Sequence, residues 1–139
     1  KATIEANGKE IDFFSCHLGW WNDQDEPFKN QVDNLIKHID NNKLSFIMGD
    51  FNNNALLKDE GYDYIIAQGM IDTYKIAEEK DSGITVKGTI DGWKECSEDK
   101  RLDLILSNKE IKVKDSKVIF NRENDIVSDH FGVEINIIL

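Results

Sequence analysis

Four polar clusters hold the side chains of this 139-residue chain that could do chemistry. They are Ser15-Cys16-His17-Leu18, Gly49-Asp50-Phe51-Asn52, Arg101-Leu102-Asp103 and Ser128-Asp129-His130. Together they offer two histidines, three aspartates and an asparagine. Such a set could hold a hard cation through oxygen ligands, orient a water molecule, and donate hydrogen bonds to a phosphoryl group. Local motifs for other chemistries are missing: there is no Gly-rich dinucleotide loop, no P-loop, no zinc helix with paired histidines and no Gly-x-Ser-x-Gly elbow. Asp23 and Asp25 suggest a calcium loop, but the glycine and terminal glutamate it needs are absent.

Each cluster also has a plain structural reading. Asp50 and Asn52 could be turn formers that bond their own backbone. Asp103 could lie on a solvated strand face, paired with Arg101. Asp129 could cap the entry to a strand before His130. His17 could be an ordinary strand-end histidine, and His38 a cation at a helix C-terminus. Trp20, Trp21 and Trp93 could be packing residues or aromatic platforms for a ligand. Cys16 and Cys96 read as small buried apolar residues.

The elements that must position these groups follow from pattern. Residues 2–6 read as a strand, Asn7-Gly8 as a tight hairpin turn, and Ile11 to Cys16 as the returning strand that delivers His17. A polar loop holds Trp20 and Trp21. A helix follows, with Asp25 or Glu26 as its cap and Pro27 in its first turn. Phe28, Val32, Leu35, Ile36 and Ile39 form its apolar stripe, and Asp40-Asn41-Asn42 ends it. Residues 44–48 read as a buried strand with Asp50 and Asn52 at its C-terminal edge. A weaker helix is expected over 56–68, a turn over 69–74, a long loop or loose hairpin over 80–100, and strands over 102–106, 111–120 and 131–139. Every polar cluster therefore falls at a strand end, where a sheet presents chemistry. The class is α+β, or a layered α/β sandwich, as one unit over 1–139.

Composition bounds the function. Lys and Arg number 17 against 27 Asp and Glu, a formal net charge of −10. That balance argues against a general grip on nucleic acid, which needs a basic stripe. The chain is 40 % hydrophobic, an ordinary globular value, and no apolar run approaches a membrane span. Two distant cysteines suggest reduced thiols and a cytoplasmic setting. The chain opens on Lys1 and runs almost at once into a strand, with nothing that resembles a signal peptide; the expectation is a chain that starts inside a longer gene product.

Taken in order, His-Leu, Gly-Asp-Phe-Asn, Arg-Leu-Asp-x-Ile-Leu and Ser-Asp-His resemble the endonuclease/exonuclease/phosphatase (DNase I-like) superfamily over residues 10–139. The domain of that family is about twice as long, and its metal-binding glutamate has no counterpart here. The chain therefore resembles the C-terminal half of a four-layer α/β/β/α sandwich. A free half should leave an apolar sheet face uncovered, so self-association or pairing with the missing N-terminal half is expected.

The resemblance also implies roles. Asp50 would orient and activate the attacking water, and Asn52 would hold Asp50 and the phosphate. His130 would bind phosphoryl oxygens, Asp103 would fix His130, and His17 would donate to the phosphate. Asp129 would lie near a Mg2+ or Mn2+ ion. His17 to Trp21 and Glu26-Pro27-Phe28 look like a branch of small bacterial sugar-phosphate phosphatases, including those of maltose 6′-phosphate, with Trp20, Trp21 and Trp93 beside the substrate. The expected activity of the whole domain is metal-dependent hydrolysis of a small phosphorylated substrate, with this half alone expected to be inactive. The alternatives are a nuclease or other phosphodiesterase, or a catalytically silent binding half-domain that lacks its principal metal ligand.

Overall fold

The computed structural model of the chain describes residues 1–87, 98–122 and 125–139. Strand β1 (Ala2–Ala6) turns through Asn7 and Gly8 into β2 (Lys9–His17). Both turn residues have positive φ, 52° and 71°, which is the backbone an Asn-Gly hairpin needs. Helix α1 (Phe28–Ile36) then crosses over to β3 (Leu44–Asp50), which runs parallel to β2. Helix α2 (Gly61–Ala67), β4 (Ile71–Asp72), the short α3 (Thr73–Ile76) and β5 (Glu79–Lys80) follow. The chain ends with β6 (Asp103–Ser107), β7 (Lys112–Ile119) and β8 (Gly132–Ile138). One sheet has the order β1-β2-β3-β6-β4 and the other β5-β7-β8. The fold class is α+β, as expected.

The core lies between α1, α2 and one face of the larger sheet. Phe28 and Val32 of α1 and Tyr62 and Ile65 of α2 meet Phe14, Ile47, Leu104 and Leu106 from three adjacent strands. The opposite face carries Phe13 and Phe46, stacked with centroids 5.3 Å apart. Alternation along each strand decides the division, so in β3 Ile47 packs under the helices and Phe46 and Asp50 face away. Among the described residues no helix is long and apolar enough to cross a membrane.

Several elements differ from the sequence expectation. The second helix starts at Gly61 rather than near 56, because residues 54–60 are spent on turns. The Asn54 side chain accepts from the Leu56 amide, and Asp59 sits at φ 62° with its amide on Asp63. Gly61 itself cannot carry a side chain, since a Cβ would lie 2.1 Å from Asn53 Oδ1. Helix α1 has no side-chain cap. Asp23, rather than Asp25 or Glu26, takes the local amides, those of Asp25 and Glu26, and Pro27 is the N-cap residue. The helix stops at Ile36, and the His38 and Ile39 amides close it with tight bonds to Leu35 and Ile36. His38 therefore lies just past the helix. The turn expected over 69–74 holds β4 and the start of α3. Of the loop or loose hairpin expected over 80–100, residues 88–97 lie outside the described residues, Lys80 belongs to β5, and Val86 and Lys100 form an antiparallel bridge.

Candidate active site

Three strands bring three of the expected residues into one row. In the β2–β3 register His17 faces Asp50, and in the β3–β6 register Asp50 faces Asp103. All three project from the sheet face away from α1 and α2. Gly49 makes the row possible. Its φ is 135°, and a Cβ there would lie 2.0 Å from the Cys16 carbonyl oxygen, so only glycine lets β3 approach β2 at this point.

Asp50 is the centre of the group. Its Oδ1 accepts from the Asn52 amide at 2.8 Å, the turn geometry that a local reading foresees. Its Oδ2 stands between two imidazoles, 3.6 Å from His17 Nε2 and 3.9 Å from His130 Nδ1. Asn52, at φ 48°, donates from Nδ2 to the Leu18 carbonyl at 2.9 Å and lies 3.1 Å from His17 Nε2. The loop after β3 thus locks the end of β2, and the Asp50 side chain, 21 % exposed, keeps access to water.

His130 and Asp103 form a second pair, with Nδ1 and Oδ2 2.8 Å apart. A carboxylate on Nδ1 fixes the orientation of the ring. Burial pushes the Asp103 carboxyl above the usual carboxylate range, against the hydrogen bonds from Thr85 and His130 that pull it down. Arg101 is not the partner of Asp103, contrary to the solvated-pair reading. Its guanidinium turns inward and holds buried Asp72 through two bonds of 2.7 Å, with Tyr62 also on Asp72 at 2.7 Å.

Thr85 escaped the sequence reading. It is fully buried, its hydroxyl accepts from the Leu102 and Asp103 amides, and its carbonyl accepts from Phe131 beside His130. One residue from a polar stretch therefore joins the two segments that carry the His–Asp pair. The only hint in the sequence was a Thr between apolar residues, Ile84 and Val86.

The remaining expectations fall out as follows. Asp129 is exposed and accepts from the Ser128 hydroxyl at 3.1 Å, outside the central group. Trp21 packs edge-on against Phe28 and beside Tyr64, with the Lys29 ammonium 4.7 Å over its ring, so it is a packing residue. Trp20 is exposed. Trp93 and Cys96 lie outside the described residues. Cys16 is a free thiol, half-buried against the core, and burial raises its pKa.

Ligand atoms of Asp50, Asp103 and His130 lie within 4.8 Å of one another, so this acidic and imidazole cluster could gather on a divalent cation. The two carboxylates suit a hard cation in kind. They fall short of a magnesium shell in number, and His130 Nδ1 is already engaged by Asp103.

The fold is that of endonuclease/exonuclease/phosphatase proteins over about half their length, as the comparison with solved structures shows. An endonuclease/exonuclease/phosphatase family protein from Leptotrichia buccalis C-1013-b is 46 % identical, with a TM-score of 0.87, covering 99 % of this chain and 52 % of that one. The mannosyl-6-phosphatase Bt3783 of Bacteroides thetaiotaomicron shares the fold at 21 % identity and a TM-score of 0.70, covering 96 % of this chain and 53 % of that one. A family protein from Bacteroides vulgatus matches at 19 % identity and a TM-score of 0.70, covering 96 % of this chain and 51 % of that one. The chain is thus a relative of the endonuclease/exonuclease/phosphatase proteins and spans about half their length, consistent with a C-terminal half. No protein-family model and no curated protein matches it.

Proposed function

We propose that the chain carries the water-activating half of a metal-dependent phosphoester hydrolase, acting on a small sugar phosphate. The observation that supports this most is the position of Asp50 Oδ2 between the His17 and His130 imidazoles, the second of them held by Asp103. A carboxylate so placed can take a proton from water. His17, largely exposed, and His130 flank it as donors to phosphoryl oxygens, and Asp103 keeps the His130 ring in place. Asn52 holds His17 and Asp50 in register. Mg2+ or Mn2+, held in part by Asp50 and Asp103, would supply charge neutralisation for the phosphate. The setting that goes with this reading is the cytoplasm, on the sparse cysteines.

A phosphatase is favoured over a nuclease by the net charge of −10, which repels a polyphosphate strand. The test, on the chain together with the N-terminal half of such a domain, is phosphate release from hexose 6-phosphates beside nicking of plasmid DNA, with and without EDTA. Metal-dependent phosphate release without nicking is the expected result. Asp50→Asn should lower the rate by about 10²–10⁴-fold, and His130→Ala by a comparable factor. Survival of near-wild-type hydrolysis in either variant overturns the assignment. Absence of hydrolysis by the two halves together, with no stoichiometric Mg2+ binding by this chain in calorimetry, would favour the silent half-domain instead.

A further inference from the structure

Asp103 is the first residue of β6, so its place in the row depends on what grips the chain just ahead of the strand. Two grips are on the backbone. The Leu102 carbonyl accepts from the Phe51 amide at 3.0 Å, and the Arg101 carbonyl from the Ala55 amide at 3.0 Å. A third is a side chain. The buried Arg101 guanidinium holds Asp72 of β4 through both of its terminal nitrogens.

Tyr74 completes this clamp. Its ring lies 4.3 Å from Arg101 Cζ, its amide donates to Asp72 Oδ1 at 3.1 Å, and its hydroxyl donates to the Asp81 carbonyl at 2.8 Å. Gly83, at φ 67°, presses on the same ring. A Cβ there would lie 2.7 Å from Tyr74 Cε2 and 3.2 Å from Arg101 Cδ. The clamp thus seats residues 81–83. Two positions further on is Thr85, which takes the Asp103 amide on its hydroxyl and the Phe131 amide on its carbonyl. Arg101 therefore reaches the His130–Asp103 pair by two short routes, along its own backbone and through Tyr74 and the 81–85 segment.

Stability alone is a poor reason for such a pair. Taking an arginine and an aspartate out of water costs about as much as their attraction returns, and uncharged residues of like size often serve as well. What a forked, buried ion pair adds is direction, because two parallel bonds and a stacked plane define one arrangement.

We propose that Arg101 is a positioning residue: with Asp72 and Tyr74 it sets Asp103, and through Asp103 the His130 ring, in the geometry of the row. This role stands on the contacts; only its effect on rate rests on the phosphoester reading.

The test is the double variant Arg101→Met/Asp72→Asn, which removes both charges and leaves the Asn oxygen to accept from the Tyr74 amide. The readouts are the urea midpoint and the ring-nitrogen NMR shifts of His130, assigned by their loss in His130→Ala. Those shifts show whether Nδ1 carries the proton that Asp103 accepts. The wild type is expected to give one set, with the proton on Nδ1. The double variant should keep a midpoint near that of the wild type, with His130 shifts moved toward those of a free histidine or split into several sets, and His38 unmoved. Arg101→Lys, which keeps the charge without the fork, should fall between the two. Tyr74→Phe loses only the anchor on Asp81 and should move His130 the same way by less. With the N-terminal half of such a domain supplied, the double variant should lose about 10²-fold in kcat with KM little changed. A folded double variant with wild-type His130 shifts overturns the proposal. So does a double variant that fails to fold beside Arg101→Lys and Tyr74→Phe variants whose His130 is unmoved, since the clamp then serves stability alone. Wild-type shifts without a proton on Nδ1 overturn the His130–Asp103 pair and the proposal with it. Moved His130 shifts in the variants, beside paired wild-type halves that release no phosphate, bear out the positioning role and count against the phosphoester reading alone.

Discussion

Cys16 and Asp12 sit on the same strand and face the helices, yet their environments push them in opposite directions. Burial raises the Cys16 thiol, so the thiolate is scarce at neutral pH. Alkylation by iodoacetamide at pH 8 should be slower than for a free cysteine, and equal rates would show that the pocket is open. The Asp12 carboxyl is held below its ordinary value by hydrogen bonds from Lys1 and Thr3, with the Lys1 ammonium 2.7 Å away. A carboxyl lowered in the fold gives stability that is present above its unfolded pKa and is lost as pH falls through the folded one. Melting temperature should therefore drop below the ordinary carboxylate range more steeply for the wild type than for Asp12→Asn, as thermal melts from pH 6 down to pH 2 would show. At this scale the sequence was legible where a residue type has few uses: His17, Asp50, Asn52, Asp103 and His130 converge. It was illegible where a partner comes from afar. Nothing local says that Arg101 binds Asp72 rather than Asp103, or that Thr85 ties Asp103 to the segment before β8.

The strands carry the row, and one close approach controls them. Gly49→Ala would drive a Cβ into the Cys16 carbonyl and part β2 from β3 where His17 faces Asp50. The expected result is loss of the site with the helical core retained: circular dichroism nearly unchanged, and the histidine ring signals shifted. Phe28→Ala acts on the other layer. Phe28 is 1 % exposed beneath Gly61 and Trp21, and its truncation should cost about 3–5 kcal/mol in urea unfolding. The hairpin and the strand ending at Asp50 were readable because Asn-Gly and an apolar run before a polar cluster act locally. The boundaries of α2 were not, because its start is fixed by Asn53 pressing on Gly61, a contact between chain segments that periodicity does not encode. The short β4, α3 and β5 exist for the same kind of reason. Thr73, for example, is held by a bond from its hydroxyl to the Ile105 carbonyl of β6.

The molecule as a whole spans about half the length of the structures it matches. Ile4 on β1 and Ile138 and Leu139 at the end of β8 are exposed, and among the described residues β1 and β8 are each the last strand of a sheet. Unpaired strand edges with apolar flanks favour association. Sedimentation of the chain should show concentration-dependent self-association, relieved when the other half of such a domain is supplied as a separate polypeptide. A strictly monomeric chain at all concentrations would count against this expectation.

The side-by-side placement of His17, Asp50 and Asp103 also makes the site a detector of strand slippage. Because successive residues point to opposite sides, sliding β3 by a single position would swing Asp50 in among the aliphatic side chains beneath α1 and bring Phe51 or Gly49 between the imidazoles. One extra residue inserted ahead of Gly49 would thus dismantle the row through alignment alone, with each of its side chains still present in the polypeptide.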